Sequence, residues 1–182
     1  MATALERGAD VVITGRVTDA SLVVGPAAAH YGWGRDDLDA LAGAVVAGHV
    51  IECGTQATGG NFAFFGEIDS LEHPGFPIAE IEPDGSSVIT KHDGTDGAVT
   101  VETVTAQLLY EIGGHRYANP DVTARFDTMR LTQEGPDRVR ISGTVGEPLP
   151  HPQGGGEHTR RVPQRDRVRV DRPSTSRPRP TS

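Results

Sequence analysis

GADVVITGRVTDASLVVGP, residues 8–26, is the stretch on which the architecture turns. Ala9-Asp10-Val11-Val12-Ile13 is a short, mainly apolar run, opened by Gly8 and closed by Thr14-Gly15. A run of that length, without alternation and bounded by glycine, predicts a strand covered on both faces, as in a parallel sheet. Before it, Ala2 to Arg7 reads as the last turn of a helix that Gly8 stops. After it, Thr18-Asp19-Ala20-Ser21 offers helix caps ahead of Leu22-Val23-Val24. Pro26 then either starts a second helical piece or kinks the first. A chain that opens part-way through a helix–strand unit is expected to lack what came before, so the domain is read as incomplete.

Further along, residues 36–53 carry the clearest helical pattern. Asp36 is placed as the cap, Leu38, Leu41, Ala42, Val45, Val46, His49 and Val50 follow helical spacing, and Gly54 ends the run. The middle of the chain changes character. Pro77 to Glu82 and Ser86 to Lys91 flank Pro83-Asp84-Gly85, a strong turn signal. Ala98 to Thr103 is expected to begin extended and pass into a helix through Tyr110, stopped by Gly113-Gly114. Thr128 to Gln133 and Arg138 to Thr144 alternate apolar and polar residues around Glu134-Gly135-Pro136-Asp137, which predicts a hairpin. The resulting fold class is α/β: a mixed sheet with parallel N-terminal strands and antiparallel C-terminal hairpins, in an incomplete domain. No internal repeat is visible.

Charge divides the chain at residue 150. Residues 1–150 hold 22 acids against 9 bases, and residues 151–182 hold 3 acids against 8 arginines. The acidic part lacks the basic stripe that a phosphate backbone demands, so no nucleic-acid partner is expected. No apolar run approaches the length of a membrane span. The first residues lack the charged-then-apolar order of a signal peptide. A single cysteine, Cys53, fits a reducing compartment. The expected location is therefore cytoplasmic, with no membrane partner, and homo-oligomers are compatible with this composition.

The 151–182 segment is rich in Arg, Pro and Ser and nearly free of aliphatic periodicity, the composition of a disordered arm. Two features point instead to translation in the wrong reading frame. The strand at Arg138 to Thr144 is followed by no further sheet-like sequence, and arginine outnumbers lysine 16 to 1, as a GC-rich gene would give. Codons for the first part of the segment can also be chosen so that a shifted frame reads as two alternating strands around a Gly-Gly turn. Residues 1–150 are accordingly expected to be a partial domain, and 151–182 a disordered, frameshifted tail from which no partner is inferred.

Two segments have the makings of a site. Thr14-Gly15-Arg16-Val17-Thr18-Asp19-Ala20-Ser21 follows the carboxyl end of the predicted parallel strand, where open α/β sheets place ligands. Gly15 permits close backbone approach. Arg16 can clamp a carboxylate or phosphate, and Asp19 can orient it or act as a base; Thr14, Thr18 and Ser21 add hydroxyls. The same residues also suit an Arg–Asp pair beside a helix cap. The second segment, Glu52 to Asn61, is a glycine-rich loop whose Gln56, Thr58, Gly59, Gly60 and Asn61 can meet an anion or oxyanion. It matches neither a P-loop nor a dinucleotide fingerprint, and tight loop packing explains it equally well.

Other groups are weaker. His49, Glu52 and Cys53 share a helical face, but His49 continues the apolar stripe and reads as a core histidine rather than a metal ligand. Cys53 near a helix C-terminus faces the negative dipole end, which disfavours a thiolate nucleophile. Lys91, the only lysine, lies at the start of a polar loop, where it can meet a CoA or carboxylate group or simply be solvated. No metal is expected, and the residues single out no cofactor.

Five stretches taken in order carry a resemblance: GADVVITGRVTDASLVVGP, VVAGHVIECGTQATGGNF, GFPIAEIEPDGSSVITK, QLLYEIGG and NPDVTARFDTMRLTQEGPDRVRISG. Together they cover nearly all of residues 8–146 and are similar to the acyclic terpene utilisation (AtuA) family, formerly a domain of unknown function. The chain resembles the later part of the family's main domain, without the ferredoxin-like C-terminal domain of some relatives. The resemblance implies a link to catabolism of citronellol- or geraniol-type acyclic terpenes through CoA thioesters, and it supplies no catalytic residues. Two expectations follow: an enzyme component acting on branched acyl-CoA or carboxylic acids, by hydration or carbon–carbon cleavage, or a non-catalytic binding or assembly subunit.

Overall fold

A computed structural model describes residues 1–149 of the chain. Its centre is helix α3, Leu38–Ile51, of sequence LDALAGAVVAGHVI, in which every residue from Leu41 to Val50 is buried. A helix apolar on all sides belongs inside a protein rather than on its surface. Each fully buried Val or Leu side chain there contributes about 1.5–3 kcal/mol. Around α3 lie α1 (Ala2–Glu6), α2 (Ser21–Tyr31) and α4 (Val101–Leu109), of which α2 and α4 pack against it and α1 packs on α2.

The strands form two sheets. β1 (Ile78–Ile81), β2 (Ser87–Thr90), β6 (Arg138–Ser142) and β5 (Arg130–Gly135) make a four-stranded sheet in the order β1-β2-β6-β5. β3 (Arg116–Ala118), β4 (Thr123–Arg125) and β7 (Val145–Glu147) make a three-stranded one, in the order β3-β4-β7. Helix α3 touches both sheets and thereby joins them. The inward-facing Ile89, Val139 and Ile141 of the larger sheet, Ala124 of the smaller and Val122 just before it share one core with Val45, Val46 and Val50. Where α3 passes the β1–β2 turn, a Cβ on Gly43 would sit 2.0 Å from the Gly85 carbonyl oxygen, so only glycine permits that approach.

Both expected hairpins form. Pro83-Asp84-Gly85 turns β1 into β2, with Gly85 at φ +83°. β5 pairs with β6 through Gly135↔Arg138, with a bulge after Gln133 and Asp137 at φ +51°. The segment from Ala98 does start extended and enters α4 at Val101, where Thr100 and Thr103 make a reciprocal capping box. The helix stops at Leu109, ahead of the two glycines.

The parallel strands do not form. All strand pairings in both sheets are antiparallel, and the single parallel contact among the described residues is an isolated bridge between Pro74 and Asp96. Residues 9–13 are not a strand. Val11 is 77% and Ile13 92% exposed. A buried parallel strand needs hydrogen-bonded neighbours and cover on both faces, and no described strand runs beside this segment. The capping also differs in detail. Asp37, not Asp36, precedes α3, and its carboxylate accepts the Gly34 N–H at 2.6 Å rather than capping the helix. Pro26 lies inside one continuous α2 rather than starting a second piece. The expectation of a frameshifted, disordered 151–182 segment lies outside the described residues.

Candidate functional site

Helix α2 presents Ser21, Val24, Gly25 and Ala28 along one side, the i, i+3, i+4, i+7 spacing of a single helical face. That face lines a cavity of about 1060 Å³. The segment preceding α2 supplies Arg16, Thr18 and Asp19, and the loop following it supplies Trp33, Gly34 and Arg35. Tyr117 of β3, Pro120-Asp121 of the β3–β4 turn and Met1 to Thr3 at the start of α1 complete the wall. A volume of this size is at the upper end of ordinary ligand pockets.

The polar groups divide into those already occupied and those left over. The first N–H groups of α2 are occupied: Ser21 donates to the Thr18 carbonyl at 2.9 Å, Leu22 to Asp19 at 3.4 Å and Val23 to Ala20 at 3.0 Å. Thr18 and Ser21 hydroxyls lie 2.5 Å apart and bond to one another. The helix N-terminus therefore has few free donors for an anion, and the guanidinium groups are what remain. Arg16 and Arg35 form no ion pair with any described residue, in contrast to Arg116, Arg125, Arg138 and Arg140, each of which holds a carboxylate. Asp19 and Asp121 likewise enter no ion pair among the described residues.

Behind the cavity, Tyr117 packs its ring against His49 and Phe126, with centroids 5.5 and 5.6 Å away. Burial pushes the Tyr117 phenol above its ordinary pKa, and the nearby carboxylates of Asp19, Glu52 and Glu111 add to the effect. Trp33 is fixed from outside: its indole N–H donates to the Pro83 carbonyl at 3.0 Å and its ring stacks on Tyr31 at 5.3 Å.

Of the residues expected at the first site, Arg16, Thr18, Asp19 and Ser21 all line this one cavity. Thr14 and Gly15 are exposed on the approach to it, and a Cβ on Gly15 would meet nothing within 4 Å. The glycine-rich loop does not line it. The N–H groups of Gly59, Gly60 and Asn61 are held by the Gln56 and Thr55 carbonyls, and the buried Thr58 hydroxyl donates towards the Gly75 and Thr55 carbonyls at 2.7 and 3.0 Å. Gln56 keeps a buried side-chain oxygen without a partner. Lys91 is almost wholly buried; its Nζ donates to the Thr95 carbonyl at 2.8 Å and pairs with Asp137 at 3.1 Å.

His49 and Cys53 take structural positions. The His49 ring bonds to the Gln107 carbonyl while the Gln107 amide donates to the His49 carbonyl, both at 3.1 Å. Burial lowers the His49 pKa, only partly offset by that carbonyl. The Cys53 thiol is pushed up to about 11, first by burial and then by its bond to the Glu52 carboxylate, so it is a poor nucleophile at neutral pH. Among the described residues no group of three or more His, Cys, Asp or Glu side chains is arranged to hold a metal ion, and no helix is long and apolar enough to cross a membrane.

The sequence reading missed Trp33, Arg35, Tyr117 and Asp121. The signal for the first two was present: an aromatic and an arginine interleaved with glycines, Gly32-Trp33-Gly34-Arg35, between two helices. Tyr117 and Asp121 reach the cavity only through the pairing of β3 with β4, which local pattern does not reveal. Residues 1–153 match the family model described as acyclic terpene utilisation family protein AtuA. No curated protein and no solved structure matches the chain.

Proposed function

Because the chain belongs to the acyclic terpene utilisation family AtuA, we propose that its cavity takes up an anionic small molecule, a branched acyl-CoA or the related carboxylic acid. The protein then acts on it as an enzyme component of acyclic terpene catabolism. The observation that carries this reading is the convergence of Arg16 and Asp19, each outside any ion pair among the described residues, on one cavity with an apolar helix face as its floor. An arginine in that setting is free to hold a carboxylate or thioester-linked anion with charge-assisted hydrogen bonds. Asp19 stands beside it as the group able to take a proton from the bound molecule or to orient it. Val24, Ala28 and Leu41, with the Met1 side chain packed over Gly25, provide the surface on which a hydrocarbon chain lies.

The test is binding and turnover of branched acyl-CoAs by the full-length protein. Arg16→Ala is expected to weaken binding about tenfold to a hundredfold, the loss of one charged hydrogen-bonding partner. Asp19→Asn is expected to retain binding and lower turnover by about 10²–10⁴-fold. Unchanged binding and turnover in both variants would remove the site assignment.

A second reading, a non-catalytic binding or assembly subunit, is favoured by the segment after the glycine loop. Phe64 and Phe65 are each 64% exposed and Phe76 is 68% exposed, which is unusual for three large apolar side chains. Here the cavity would serve retention of the ligand rather than its conversion.

A further inference from the structure

Arg16 and Arg35 belong to the segments at opposite ends of α2. Arg16 lies five residues before Ser21, and Arg35 four residues after Tyr31. An 11-residue helix at 1.5 Å per residue is roughly 16 Å long. The cavity follows this length, since its floor is the α2 face from Ser21 through Val24 and Gly25 to Ala28, closed by Leu41 of α3. A single carboxylate held at one end cannot also engage an arginine on the far side of such a helix.

We propose, building on the ligand reading above, that the cavity selects an elongated molecule with an anionic group at each end and an apolar middle, with Arg35 holding the second anion. Arg16 holds the reacting carboxylate end, α2 supports the hydrocarbon, and Arg35 closes on the distal carboxylate or phosphoryl group. Trp33 positions that second end. Its anchoring to the Pro83 carbonyl and its stacking on Tyr31 hold the 33–35 loop rigid, so Arg35 is presented at a set distance from Arg16. Arg35 is thus a specificity residue: it measures the length and the second charge of the ligand, not its reactivity.

The chain's only tryptophan is Trp33, so its fluorescence reports occupancy of this cavity directly. The full chain is titrated with dodecanedioate and with dodecanoate, two probes of equal length that differ in the second carboxylate. The diacid is expected to bind about tenfold or more tighter, as one further charged hydrogen bond gives. Arg35→Ala is expected to abolish that advantage and leave dodecanoate binding unchanged, whereas Arg16→Ala weakens both. Arg130→Ala, which removes an exposed arginine outside the cavity, is expected to change neither.

Equal affinities for the two probes, or an Arg35→Ala variant that weakens both alike, overturns the proposal while leaving the Arg16 site intact. Absence of any Arg16-dependent binding of either probe or of an acyl-CoA overturns the ligand reading and the proposal together. A preference for 12-phosphonododecanoate over dodecanedioate that is lost in Arg35→Ala supports the proposal and assigns the distal group as phosphoryl.

Discussion

His49 lies within the apolar stripe of α3, and its neighbours explain both its presence there and its effect on stability. Its ring and the amide of Gln107 exchange hydrogen bonds with each other's backbone across 58 positions of chain, tying α3 to α4. Burial lowers its pKa from the ordinary 6.5. Above pH 6.5 folded and unfolded chains both carry a neutral imidazole, and the full stability is present. As pH falls below 6.5 the unfolded chain binds a proton that the folded chain refuses, so stability drops until the folded imidazole also titrates. The urea midpoint is therefore expected to decline between pH 7 and 5.5, and His49→Gln to flatten that decline. An identical pH profile in the variant would assign the effect to other histidines. At this scale the sequence was informative where a residue's role follows from its periodicity, as with His49. It was silent where the role follows from a distant partner. Thr58 and Lys91 looked like ligand-facing groups, yet each spends its polar atoms on backbone carbonyls or a carboxylate brought near by the fold.

Elements show the same division. The β1–β2 and β5–β6 hairpins were legible because turn chemistry and alternation act within a dozen residues. The supposed parallel strand at 9–13 was not, because an apolar run does not say what lies beside it. A strand exists only through its neighbours, and both sheets are completed by antiparallel partners from elsewhere in the chain. Helix α3 was recognisable by its spacing, but its role as the body joining two sheets depends on glycines whose neighbours are remote in sequence. Gly43→Ala tests this. Helix propensity favours the substitution by about 1 kcal/mol. The new methyl, however, would lie 2.0 Å from a backbone oxygen that no side-chain rotation can move. Overpacking of that kind costs about 1–3 kcal/mol and more against rigid backbone. The steric term is expected to win, with a lowered thermal midpoint. A raised midpoint would mean that the β1–β2 turn yields easily.

Across the whole molecule, the cavity and the exposed phenylalanines occupy different segments, so the two readings of function can be separated. Replacing Phe64 and Phe65 together by serine is expected to lower concentration-dependent association in sedimentation experiments and to leave Trp33-reported ligand binding intact. Loss of binding in that variant would show that the apolar segment and the cavity act as one site. The cavity itself was half legible. The Arg16–Ser21 segment was found from its hydroxyls, its arginine and its place ahead of a helix, even though the strand thought to deliver it does not form. The opposite wall required knowing that β3 pairs with β4. The paired arginines tell a related story: Arg125 between Asp127 and Glu147, and Arg138 on Glu80, stitch strands and turns. The arginines of the cavity stand apart from them by holding no carboxylate among the described residues.

The burial of Lys91 has a practical side. Because the sequence contains no other lysine and this one is enclosed by Thr95 and Asp137, acylating reagents aimed at lysine side chains find no exposed target on the native fold. Crosslinking maps need carboxylate-directed chemistry instead. Conversely, the rate at which Lys91 becomes acylated is a clock for the opening of the loop between β2 and α4, readable by mass spectrometry at a single position without any engineered label.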